Sequence, residues 1–153
     1  MAEVDDEARV TELLGRSPRA AFTVVTRALD GDPIVIRNAA FLADGTPLPT
    51  RYWLVDPGLN RWISQLEAAG GVRAAQAAVD PEALAASHRR YAAERDATIA
   101  TDHIGPRPFG GVGGTRTGVK CLHAHYAYRL AGSDDPVGVW VEQQLVSATE
   151  GGP

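Results

Sequence analysis

The sequence predicts an α+β fold: a small three-stranded antiparallel sheet in the N-terminal half, packed with four to five helices. Three observations lead there. Apolar residues follow a period of two between residues 21 and 55, and a period near 3.6 from residue 57 onward. Asp30-Gly31 and Asp44-Gly45 carry the Asp-Gly turn signal within the first stretch. Asp56-Pro57, Asp80-Pro81 and Asp135-Pro136 each place an N-cap before a proline at the first helical position in the second. Strands first and helices afterwards is the order of an α+β domain, not of a parallel sheet with crossovers.

In chain order, residues 5–14 set Val10, Leu13 and Leu14 on one side of a helix that Gly15 ends, and Ser17-Pro18 breaks the pattern. Residues 21–28 and 33–38 are β-rich runs whose link, Leu29-Asp30-Gly31-Asp32, reads as a hairpin turn. Pro47 and Pro49 lead into a third strand at 51–55. Val24, Ile34, Ile36, Tyr52 and Leu54 are the strand residues expected to face a core. Leu59, Trp62, Ile63 and Leu66 then form an i, i+3, i+4, i+7 stripe that stops at Gly70-Gly71. The alanine-rich residues 74–79 stay helical. From Pro81, Leu84, His88, Tyr91 and Ile99 line one face. A helix follows the glycine run near residue 119, and a short one opens at Pro136 and passes through Val141 and Leu145. Residues 1–146 form one domain, and 147–153, small and polar, a frayed tail.

Composition bounds the function. The chain has 153 residues, 44% hydrophobic and 22% charged, which fits one globular domain and excludes a disordered or collagen-like chain. A single cysteine excludes an intrachain disulfide framework and points to the reducing cytoplasm. No apolar run reaches the roughly 18–20 residues that span a bilayer, and the acidic start MAEVDDEARV is unlike a secretory peptide. A net charge of −4 argues against binding a nucleic-acid backbone. The charge is uneven, however. Residues 87–129 carry Arg89, Arg90, Arg95, Arg107, Arg116, Lys120 and Arg129 against Glu94, Asp96 and Asp102, and they hold all four histidines. A local positive excess in an acidic chain suits a small anionic ligand; it also suits an evenly solvated surface.

The segment richest in chemistry is FGGVGGTRTGVKCLHAHYAYRLA, residues 109–131. Gly110, Gly111, Gly114 and Gly118, with Gly113, run into an apolar helix. Free N–H groups and the helix dipole make that arrangement an anion cradle. Lys120 is the only lysine in a chain that otherwise uses arginine, and a compact ammonium at this place would hold the anion. The run does not fit a phosphate-binding G-x-x-x-x-G-K-[ST] motif, because Val119 separates Gly118 from Lys120. A plain surface loop that starts a helix is the competing description.

A turn of 100° per residue puts Cys121 and His125 about 40° apart on one face, with Tyr128. His123 then takes the other face with Leu122, Tyr126 and Leu130. Cys121 in a first turn is a candidate nucleophile, although free cysteines are more often buried and structural. His88, Tyr91 and Arg95, at i, i+3 and i+7, offer an acid–base group and an anion clamp on one helix face. Glu67 sits at the margin of its helix's stripe, where a half-buried carboxylate would pair with an arginine.

DGTPLPTRYWLVDP, LEAAGG, SHRRYAAER and GGVGGTRTGVKCLHAHYAYRLAGSDDPVG resemble the bacterial, largely actinobacterial, domain-of-unknown-function family 501. The resemblance runs from about Gly15 to Val141 and maps onto Pro49, Thr50, Tyr52, Trp53, Glu67, His88, Tyr91, Arg95, Gly110, Gly111, Lys120, Cys121 and His123. It implies a housekeeping role in the cytoplasm, since such genes lie near enolase, a septum-formation initiator and an exopolyphosphatase. Many members carry a cysteine in the first hairpin where this chain has Ala28, so the resemblance implies no two-cysteine site here.

Three functional expectations follow. The first is binding of, or action on, a small phosphorylated or carboxylated metabolite. Gly110, Gly111, Gly114 and Gly118 shape the loop, Lys120, Arg95 and Tyr91 hold the ligand, His88 or His123 moves protons, and Cys121 serves as nucleophile. The second is a non-catalytic interaction module for cell division or envelope growth that uses Tyr52, Trp53 and Trp62 as a contact surface. It leaves open a homo-oligomer or a cell-division partner. A metal site built from Cys121, His125 and His88 ranks last, so no metal ligand is assigned and the cofactor is left unknown.

Overall fold

Side-chain caps set the helix boundaries in the computed structural model, which describes residues 5–150. Asp5 accepts hydrogen bonds from the backbone N–H groups of Glu7 and Ala8 and starts α1 (Asp6–Leu14), which ends at Gly15 with φ 74°. The three Asp-Pro pairs behave alike. Asp56 caps α2 (Pro57–Ala68) through Leu59 N–H, and Asp80 caps α4 (Pro81–Asp96) through Glu82 N–H, after the intervening α3 (Gly71–Ala78). Helix α5 spans Leu122–Leu130, and Asp135 then caps α6 (Pro136–Glu150), accepting from Gly138 N–H at 2.8 Å.

The sheet is antiparallel in the order β1-β2-β3, formed by β1 (Phe22–Arg27), β2 (Pro33–Asn38) and β3 (Tyr52–Leu54). Val24 opposes Ile36 and Val35 opposes Leu54. The α+β class is therefore as the sequence predicts. Two details differ. The described residues contain six α-helices instead of four to five, because Gly70 at φ 92° separates α2 from α3. Helix α6 continues to Glu150, into the segment expected as a tail; residues 151–153 of that tail lie outside the described residues.

Strand β2 is buried on both sides. Val35, with Tyr52 and Leu54, meets Ile63, Leu122, Tyr128 and Val141 in the main core, whereas Ile36 joins Val10 and Val55 under α1. The alternating pattern points to Ile36 and not to Val35, because alternation presumes one covered face. Burying one such side chain stabilises the fold by about 1.5–3 kcal/mol. Tyr52 and Tyr128 stack and Tyr91 meets both edge to face, with ring centroids 5.0–6.0 Å apart, which joins sheet, α4 and α5. Thr26 Oγ1 donates to the Leu130 carbonyl at 2.9 Å, tying β1 to the end of α5. No helix among the described residues is long and apolar enough to cross a membrane.

Candidate functional site

Helix α4 points His88, Tyr91 and Arg95 inward, 3%, 0% and 1% exposed, and each hands its polar atoms to backbone. His88 Nδ1 accepts from Val112 N–H at 3.0 Å, so Nε2 carries the proton and donates to the Gly118 carbonyl at 2.9 Å. Burial lowers the His88 pKa, against the Gly118 carbonyl, which raises it; the ring stays neutral, as this bonding requires. Arg95 donates to the carbonyls of Pro49 and Gly110 at 3.1 and 2.8 Å, and its Nε pairs with Asp96. The Tyr91 hydroxyl accepts from the N–H groups of Arg51 and Tyr52, and burial pushes its pKa up to about 12.

His88 and Arg95 hold the glycine loop in place, while Tyr91 holds the start of β3. Gly110, Gly113, Gly114 and Gly118 all have positive φ. Gly111 is required by proximity instead: a Cβ there would lie 2.6 Å from the His88 Cβ. A short 3₁₀ turn, Val112–Gly114, sits between them. The loop is thus a packed element and not a plain surface segment.

The helix after the loop starts later than its sequence suggests. Leu122 opens α5 and Cys121 is its N-cap, with extended φ −151° and ψ 127°. Neither Val119 nor Lys120 lies in the first turn, and Cys121 is off the helical screw. It consequently does not share a face with His125. Its Sγ lies 3.6 Å from His123 Nδ1 instead. Glu67, in the last turn of α2, completes the group: Oε1 lies 3.2 Å from His123 Nδ1, and Oε2 accepts from Leu122 N–H at 2.9 Å. The carboxylate thereby occupies the N-terminus of α5, and its partners are a histidine and a backbone N–H, not the arginine expected. His123 Nε2 faces the Asn60 carbonyl at 3.2 Å and Ser64 Oγ at 3.3 Å. The Cys121 sulfur raises the His123 pKa most; burial opposes it, and the Asn60 carbonyl and Glu67 carboxylate add to the rise.

His125 belongs to a different environment. Fully buried, its Nδ1 donates to Asp135 Oδ2 at 2.7 Å, while Ser87 Oγ donates to Asp135 Oδ1. Burial pushes the Asp135 carboxyl up, but the bonds from His125, Ser87 and Gly138 outweigh it and leave the pKa lowered. The His88 and His125 rings lie edge to face with centroids 5.7 Å apart, but Cys121 turns to His123 and Glu67, so the set Cys121, His125 and His88 does not gather as metal ligands.

Positive charge gathers on the outer side of the loop. A cleft of about 300 Å³ opens between α4 and the loop, lined by His88, Arg89, Arg95, Gly110, Gly111 and Arg116 and also by the Asp96 carboxylate. The Arg116 guanidinium lies 3.9 Å over the Phe109 ring. Arg89 and Arg116 have no carboxylate partner among the described residues. Gly114, Gly118, Lys120 and Tyr91 do not line this cleft, and Lys120 is exposed. Arg89 and Arg116 lie outside the ligand-holding set that the sequence suggests; an arginine inside the glycine run, GGTRTG, is the signal that points to one of them. The aromatic residues do not form one surface: Tyr52 is buried, Trp53 is exposed and faces away from it on β3, and Trp62 is half-buried against the main core.

No curated protein and no solved structure matches the chain. Residues 24–143 match the family described as Protein of unknown function (DUF501), most of the chain and every residue discussed above as a candidate, and the protein belongs to that family.

Proposed function

We propose that this protein binds a small phosphorylated or carboxylated metabolite in the cytoplasm, in the cleft between α4 and the glycine loop. The observation that carries this reading is the pair of guanidinium groups, Arg89 and Arg116, lining one cleft without a carboxylate partner among the described residues. Arg95 adds little net charge, because Asp96 pairs with it. Two unpaired guanidiniums beside glycine backbone favour an anion by charge and by planar hydrogen bonding. A volume of about 300 Å³ suits a metabolite and not a polymer. The loop keeps the role that its glycines suggest, with Arg116 and Arg89 in place of Lys120 as the anion's partners.

Thermal shift against inorganic phosphate and a panel of phosphorylated and carboxylated metabolites tests this directly, since a ligand of the native state raises apparent stability. Arg116→Ala and Arg89→Ala should each abolish most of the shift, whereas Lys120→Ala should leave it. A panel without any shift, or a shift indifferent to both arginine substitutions, would remove the proposal.

A further inference from the structure

We propose that Glu67, Cys121 and His123 hold a divalent transition-metal ion of the zinc type, with a coordination position left open. This goes beyond the anion cleft and does not depend on it. One ligand atom from each of the three side chains falls within 4.8 Å of the others, and all three side chains are part-exposed. Tetrahedral ligands bound at ~2.0–2.3 Å stand about 3.3 Å apart for nitrogen and oxygen and about 3.6 Å apart for nitrogen and sulfur. The separations here are 3.2 Å for Nδ1 to Oε1 and 3.6 Å for Nδ1 to Sγ.

The hydrogen bonding around the group points the same way. The Asn60 carbonyl can only accept, so His123 Nε2 carries a proton, and Nδ1 is the ring nitrogen that presents a lone pair to a metal when the ring is neutral. That lone pair faces a carboxylate oxygen and a sulfur. A carboxylate oxygen, an imidazole nitrogen and a thiol sulfur thus converge on one point, and once the thiol is deprotonated a cation among them engages all three at once. The outer contacts are those of a metal centre. Asn60 fixes the imidazole through its far nitrogen, and Leu122 N–H holds Glu67 Oε2 so that Oε1 is left for the ion.

Charge balances as well. On ligation the Cys121 thiol releases its proton to solvent; thiolate and carboxylate then neutralise a divalent ion, and the imidazole stays neutral. A sulfur, a nitrogen and an oxygen donor select a borderline ion such as Zn²⁺ over Mg²⁺ or Ca²⁺, which require oxygen sets. Three protein donors with a further position open are the pattern of a reactive zinc site, not of a closed structural one.

The test uses the full chain, stripped with chelator and titrated with Co²⁺. One equivalent per chain should give visible ligand-field bands and a near-ultraviolet thiolate-to-cobalt band, both displaced by Zn²⁺. Cys121→Ser should abolish the thiolate band. Glu67→Gln keeps an acceptor for Leu122 N–H, so it should fold and yet lose more than the roughly 10–100-fold in affinity that an outer-shell partner contributes. Zn²⁺ should raise the melting temperature of the parent and not of Cys121→Ser. Absence of the cobalt bands, or a thiolate band that survives in Cys121→Ser, would overturn the proposal, and should Cys121→Ser not fold, unchanged affinity in Glu67→Gln would do so. Phosphate binding is read separately through Arg116→Ala, so failure of either proposal leaves the other to its own measurement.

Discussion

His88 commits both ring nitrogens to the glycine loop, and its Cβ occupies the space that a side chain on Gly111 would need. His88→Ala leaves the buried Val112 N–H without an acceptor and opens a cavity, so it should cost on the order of 2–4 kcal/mol in urea denaturation. Gly111→Ala attacks the same contact by overpacking and should cost about 1–3 kcal/mol. His123 behaves differently because its pKa is raised. A raised folded-state pKa stabilises below the ordinary value of 6.5 and loses that contribution as pH rises through the folded value. With chelator present, the melting temperature of the parent should exceed that of His123→Gln most on the acid side of 6.5, and the gap should close as pH rises. A gap that widens with pH would contradict a raised His123 pKa.

At the scale of elements, the Asp-Pro pairs are legible because capping is local chemistry: residues two or three apart suffice to place the starts of α2, α4 and α6. The antiparallel hairpin is legible for the same reason. The start of α5 is not, because Glu67 lies 55 residues before the N–H it caps, and no local pattern reports that pairing. The misplacement of Cys121 and His123 on opposite faces follows from that single boundary. Burial of β2 on both faces is likewise hidden, since it depends on where α1 packs. The residues His88, Tyr91 and Arg95 are legible as a stripe, but their partners are backbone atoms of segments remote in sequence. Arg95 shows what such a stripe does mechanically. It joins α4 to the carbonyls of Pro49 and Gly110 through Nη1 while its Nε bonds Asp96, so Arg95→Lys, with one nitrogen in place of that pair, should cost about 2–3 kcal/mol and increase proteolytic cutting within the loop.

Across the whole molecule, the buried Ser87–Asp135–His125 group joins α4, α5 and the start of α6, with Asp135 and His125 both fully buried. Asp135→Asn keeps the shape but removes the charge that His125 and Ser87 complete, and a loss of about 3–5 kcal/mol is expected. Since the folded-state pKa of Asp135 lies below 3.8, its contribution is present above that value and is lost as pH falls through the lowered one. Acid unfolding of Asp135→Asn should therefore be less steep than that of the parent, a difference that circular dichroism across the acid range would measure.

The same carboxylate has a consequence for the order in which the chain folds. A helix nucleates at a cost that a cap helps to offset, and the cap of α6 is an oxygen already engaged by His125. The cap itself is local, but the bond from His125 to the same oxygen forms only once α5 has docked beside α6. A low φ-value is therefore expected at Asp135, where part of the cap's stabilisation waits for that docking. Substitutions at this cap should accelerate unfolding while barely changing the folding rate, which would make residence in the native state, and not the speed of reaching it, the quantity that Asp135 governs.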